Sequence, residues 1–202
     1  MKKIILAVLL SSCLLLSGCY TSEKITENLE PAYSSLFNDV VVSLNSHHSS
    51  VSSHIDIGYN KDDGKGQIVI KLVSGADITL SLFTDENSVT KFNLSYVINV
   101  NGYNTDVAYL NVPSEDRKVI CDVVNSISRA ELAASRLDNA IELSADTVDK
   151  IKRNDTQNPV YEKTHYLPNV FIQNIAINHK ICILNPQTST FSEYIDVSGE
   201  IK

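Results

Sequence analysis

Between residues 67 and 100 the chain alternates apolar and polar side chains with a period of two. That period puts neighbouring side chains on opposite faces of an extended strand. Ile78, Leu80 and Leu82 share one face, with Thr79 and Ser81 opposite. Phe92, Leu94, Tyr96, Ile98 and Val100 line up the same way against Lys91, Asn93, Ser95 and Asn99. Strands with one apolar and one polar face build an antiparallel sheet covered on one side only. Ser74-Gly75-Ala76 divides a strand over 67–73 from one over 77–83. Upstream, Ile55, Ile57 and Tyr59 alternate before Asn60-Lys-Asp-Asp-Gly-Lys-Gly66, which is turn chemistry. Its acidic residues are faintly like a calcium loop, but the Glu that closes an EF-hand is missing, so a hairpin turn is expected.

Asn101-Gly102 is the strongest short hairpin signal in the chain. A two-residue loop there would pair Val100 with Tyr103, Ile98 with Thr105, Tyr96 with Val107 and Leu94 with Tyr109. Tyr96, Tyr103 and Tyr109 would then share a face. That face reads either as a half-buried sheet surface, where aromatic pairs are favoured, or as an aromatic ligand surface.

Two helical patterns flank these strands. Pro31 suits a first helical turn, and Tyr33, Leu36, Phe37, Val40 and Leu44 follow at three- and four-residue spacing, predicting a helix over 31–44. Pro113 ends the strand region, and Ser114 can cap a helix carrying Glu115 and Asp116 in its first turn. A regular stripe follows: Ile120, Val123, Ile127, Ala130, Ala134, Leu137 and Ile141, with Val148 and Ile151 in phase. One helix over 115–153 would run almost 60 Å at about 1.5 Å per residue. That exceeds a domain of this size, so a break near Leu143 to Ala145 is expected. Heptad spacing admits a coiled-coil partner. Val119 and Val124 widen the stripe at its start and favour packing on the sheet. Strands are expected over 160–166, 170–177, 180–184 and 190–197, with Asn178-His179 as a tight turn. The predicted fold class is α+β: an antiparallel sheet with an N-terminal helix and one long central helix packed on one face.

The N-terminus carries an address. Lys2 and Lys3 precede an apolar run over 4–16, interrupted by Ser11, Ser12 and Cys13. A membrane-spanning helix needs roughly 20 apolar residues, so the shorter run reads as a secretory signal. It ends in Leu16-Ser17-Gly18-Cys19, which resembles the lipobox of bacterial lipoproteins. The resemblance implies cleavage before Cys19, with diacylglycerol on its sulfur and, often, an acyl chain (palmitate, for example) on its amine. Two or three chains anchor a protein stably where one does so marginally. Tyr20 stands where Asp would favour inner-membrane retention, so the resemblance points to the outer membrane. A Gram-positive host would place the protein on the outer face of its only membrane. The implied organisation is a signal peptide over 1–18, a lipidated N-terminus and tether over 19–30, and one α+β domain over 31–202. Ten extended tether residues reach at most about 36 Å, which keeps the domain close to the bilayer.

Losing Lys2 and Lys3 with the signal takes the side-chain charge from −7 to −9. An acidic chain without a basic patch is a poor nucleic-acid partner. With Cys13 removed and Cys19 lipidated, Cys121 and Cys182 remain as an even pair in an oxidising compartment. A disulfide is the expected reading, worth roughly 4 kcal/mol for so long a loop; two separate buried thiols are the alternative. His47, His48 and His54 invite a metal hypothesis, and His54 with Asp56 and a nearby Ser a hydrolase triad. Neither pattern has supporting ligands or a Gly-x-Ser-x-Gly elbow, so no catalytic residue, metal or cofactor is expected. Three functions stay open. The first is an envelope lipoprotein with a structural or docking role, bound to membrane lipid through acylated Cys19 and to an envelope protein partner. The second is a lipid or small-molecule binder using the Tyr-bearing sheet face. The third is an enzyme drawing on His54, Asp56, His165 and His179.

Overall fold

The computed structural model describes residues 31–60, 62–85, 88–100, 112–128, 134–157, 162–184 and 190–201. The signal, Cys19 and the tether lie outside these, as do Tyr103 and Tyr109. Helix α1 (Pro31–Ser46) buries Tyr33, Leu36, Phe37, Val40 and Leu44, the predicted stripe. Four strands then meander: β1 (Val51–Asn60), β2 (Lys65–Leu72), β3 (Asp77–Asp85) and β4 (Ser88–Val100). Gly64 and Gly75, at φ +56° and +89°, take the left-handed conformations that their two turns require.

Downstream lie α2 (Ser114–Ser128), α3 (Ala134–Ile141), α4 (Ala145–Gln157), β5 (Glu162–Tyr166), β6 (Val170–Ile172), β7 (Ile175–Leu184) and β8 (Thr190–Glu200). The strands form one antiparallel sheet in the order β1-β2-β3-β4-β8-β7-β5, with β6 sharing the last edge beside β7. Ile70, Ile78, Tyr96 and Ile195 run across one face in register, and Ile68, Leu80, Leu94 and Val197 form the next row. All are buried with residues of α1, α2 and α3 in one core. The opposite face carries Thr79, Asn93, Ser95, Asp196 and Asn178 at the alternate positions. The fold is therefore α+β, an antiparallel sheet with its helices on one face.

Four expectations need correction. Tyr96 pairs with Ile78 on one side and Ile195 on the other, and Leu94 with Leu80 and Val197. Both edges of β4 are occupied at these positions, so Tyr96 cannot pair with Val107, nor Leu94 with Tyr109. Residues 101–111 lie outside the described part.

Asn178 and His179 are not a turn but the middle of β7. The turn is Gln173-Asn174, between Ile172 and its partner Ile175, with Gln173 at φ 54°.

The central helical stretch is divided further than expected. The interruption before Ala145 is present, between α3 and α4. In addition, α3 returns alongside α2. Arg117 Nε donates to Asp138 Oδ1 at 2.7 Å, whereas 21 residues of straight helix would separate them by about 31 Å. The stripe keeps its phase because both arms bury it: Ile127, Leu137 and Ile141 are all in the core.

Cys121 and Cys182 are both free and buried, so the expected disulfide is not formed. The register gives the reason. β7 and β8 pair without a bulge, and Ile175 and Ile177 point to the helix-covered face. Cys182, of opposite parity, points to the other face, where Thr164 Oγ1 lies 3.6 Å from its sulfur. Cys121 is on α2, in the core. The sheet stands between the two thiols, beyond the reach of a disulfide.

Candidate functional site

Among the described residues, a cavity of about 690 Å³ lies between the α3–α4 elbow and the β5–β6–β7 corner. One wall is Arg136, Asn139, Glu142, Ser144 and Thr147; the facing wall is Leu167, Pro168, Val170, Phe171 and Ile172. Ile177 and His179 of β7 form the floor. The elbow is shaped by local hydrogen bonding. Ser144 Oγ accepts the Thr147 amide at 3.2 Å and so caps α4. Glu142 is held from behind by Arg117 Nη2 at 3.3 Å, while Arg117 Nη1 donates to the Val112 carbonyl. On the other wall, the Leu167 amide donates to the His179 carbonyl and pins the loop to β7.

Behind the floor, His179 Nε2 lies 2.6 Å from Glu193 Oε1 on β8. Glu193 is 1% exposed, and its Oε2 has no hydrogen-bond partner among the described residues. A carboxylate this deep is retained only with a cationic or donating neighbour, and His179 fills that role. The pair fastens β7 to β8 where Tyr96 of β4 also packs.

The other polar groups flagged by sequence are used in holding elements together. Tyr33 on α1 donates to Asp56 Oδ1 at 2.9 Å, and the Gly58 amide donates to the same oxygen at 2.7 Å. Burial, then the Asp56 carboxylate, pushes the Tyr33 phenol well above its ordinary range. Asp116, in the first turn of α2, accepts from Ser74 Oγ at 2.6 Å and from the Tyr96 hydroxyl at 2.9 Å, both at Oδ2. Burial raises the Asp116 carboxyl against the opposing pull of those two donors. The Tyr96 phenol is raised in turn by burial and by Asp116. Tyr96 is thus core, which removes it from any aromatic ligand surface. This α2–sheet tie was missed in the sequence, where Asp116 read only as a helix-start charge.

His54 and His179 do not meet, and among the described residues no three histidines cluster. His47, at the end of α1, contacts Asp122 on α2 at 2.7 Å. His48 is exposed. His54 is buried on β1, where burial lowers its pKa and Asp56 partly offsets that. His165 sits opposite Ile181 on β5, its side chain outside the described part. His54 and His179 stand on strands five positions apart, about 24 Å across the sheet. Among the described residues, no group of three His, Cys, Asp or Glu could hold a metal. The 60–66 turn is closed by its own side chains, with Asn60 Nδ2 donating to Asp63 Oδ2 at 2.7 Å. No described helix is long and apolar enough to cross a membrane. Comparison with family models, curated proteins and solved structures finds no match.

Proposed function

We propose that this chain is an envelope lipoprotein, anchored through acylated Cys19, whose domain serves as a structural or protein-docking component. By the lipobox resemblance its site is the outer membrane, facing the periplasm or the surface. The observation that carries the docking role is an apolar ridge at the β5–β6 edge. Tyr166 is 79% exposed and Phe171 71%, and their partners Lys180 and Ala176 put both on the face away from the helices. Large apolar side chains grouped at a sheet edge are the kind of surface that partners cover. The heptad-like stripe is not that surface, because Ile127, Leu137 and Ile141 are spent on the core. Of the polar groups open to catalysis in the sequence, Asp56 and His179 serve as ties between elements, which favours a binding role over an enzymatic one.

Two measurements test the reading. Replacing Cys19 with Ala should release the protein from membranes; a variant that still pellets with them is held by something other than lipid. Gentle extraction of the native protein should recover a stoichiometric protein partner, lost in Phe171→Asp. Recovery of the same partner with that variant would remove the ridge from the docking role.

A further inference from the structure

We infer that the cavity between the α3–α4 elbow and the β5–β6–β7 corner binds a single acyl chain with an acidic head, as in a free fatty acid or a lysophospholipid. This goes beyond the docking role and does not depend on Cys19.

Size comes first. At about 690 Å³ the cavity falls in the range of about 300–1,000 Å³ typical of small-molecule sites. Depth comes second. Its floor is the sheet itself, at Ile177 and His179, both of them buried. A folded partner resting on the rim would leave that floor unfilled; a chain inserted end-on would not. The third point is the contrast between walls. Leu167, Val170 and Ile172 offer apolar surface, the last two beside their core-facing partners Ile177 and Ile175, while Arg136, Asn139 and Thr147 face them. A ligand that satisfies both is apolar over most of its length and polar at one end.

Charge fixes the sign of the head. Glu142 lines the cavity, but its carboxylate is engaged by Arg117. His179 is engaged by Glu193. Among the described lining residues, Arg136, exposed on α3, is the cation left to face a ligand. An arginine fork suits a carboxylate or a phosphate equally well. It discriminates both from an uncharged head.

The test uses the natively produced protein in phosphatidylcholine vesicles and three photoreactive probes of equal chain length. These are a diazirine fatty acid, the matching lysophosphatidylglycerol, and the matching monoacylglycerol. Cross-links to the 167–172 wall or the 140–143 elbow, saturable and competed by unlabelled palmitate, are expected. Arg136→Glu, at an exposed position, should cut labelling by acidic probes at least tenfold and leave monoacylglycerol labelling unchanged. Asn139→Trp, which fills the mouth, should abolish labelling by all three. Stronger labelling by the fatty acid or by the lysophospholipid identifies which source supplies the head. Labelling that does not saturate, or that maps elsewhere, overturns the site. Equal labelling of wild type and Arg136→Glu by the acidic probes overturns the acidic head.

Discussion

Gly66 on β2 is held in place by what leans on it. A Cβ there would lie 1.9 Å from Tyr33 Cε2, 2.5 Å from Cδ2 and 2.6 Å from Cζ. Ordinary carbon contacts sit near 3.5–4.0 Å, so Gly66→Ala must drive the Tyr33 ring back by roughly 1.5 Å. Tyr33 is fully buried, and its hydroxyl reaches Asp56 at 2.9 Å. A retreat of that size breaks the bond. Overpacking costs about 1–3 kcal/mol, and loss of a hydrogen bond to a charged group about 1.5–3 kcal/mol. The sum, about 2.5–6 kcal/mol, is a large share of a typical domain's stability. The chain has no Trp, so urea unfolding is best followed by far-UV circular dichroism, with the slope checked for constancy. The cause is isolated by a double-mutant cycle. Tyr33→Ala removes the ring at its own cost of about 3–5 kcal/mol. In that background Gly66→Ala should cost under about 1 kcal/mol. If the two losses simply add, or if Gly66→Ala alone is mild, the ring is not what requires glycine.

Further outcomes follow from the buried groups. Asp116→Ala leaves the Tyr96 and Ser74 hydroxyls without their acceptor and should cost about 2–4 kcal/mol, whereas Asp116→Asn keeps one oxygen at that point. Because burial raises the Asp116 carboxyl, the folded state binds that proton more tightly than the unfolded state. Its charged form weakens the fold above the raised value, and the penalty fades as pH falls toward the ordinary carboxylate range. The stability of Asp116→Asn relative to wild type should therefore shrink as pH is lowered from 7. A gap that is constant or widening would show that the carboxyl is not raised. Burial, with the Asp138 and Asp122 carboxylates, pushes the Cys121 thiol up to about 12, so almost no thiolate exists at neutral pH. Alkylation of the folded protein should spare Cys121 and Cys182, and alkylation after unfolding without reductant should modify both. Protection of both in the unfolded, unreduced chain would mean that they are joined.

The meander was legible from β2 to β4, because β3 and β4 keep a period of two and Gly64 and Gly75 mark two of its turns; β1 was not, since its Ile55 and Ile57 are exposed while His54 and Asp56 are buried. The sheet face of β3 and β4 could be read residue by residue. The α1 stripe was equally open, since three- and four-residue spacing has one helical meaning. What failed shares a cause. Asn178-His179 looks like a turn because polar pairs between apolar runs usually are. Here His179 points into the fold and is held by Glu193, 14 residues away, a partnership that no local pattern announces. The true turn, Gln173-Asn174, places a non-glycine residue at positive φ. Asn101-Gly102 suggested a partner for β4 that β8, about 90 residues downstream, supplies instead. The disulfide expectation fell with the turn, since a one-residue change of parity sends Cys182 to the far face. The cavity was invisible because its walls come from 136–147 and 167–173, brought together only when the helical arm folds back.

The strand order also governs when the fold can close. β8 lies between β4 and β7, so it is the seam between the 51–100 meander and the 162–184 hairpin. A chain that has not yet supplied residues 190–200 holds two half-sheets, each with a bare edge backed by apolar side chains. Such edges pair with any extended segment nearby. A truncation upstream of Thr190 therefore produces sticky fragments, not a slightly weakened domain. On the proposal that the chain is exported, the same arrangement would hold back final locking until residues 190–200 have crossed the membrane, and the seam would then commit the fold in one late step.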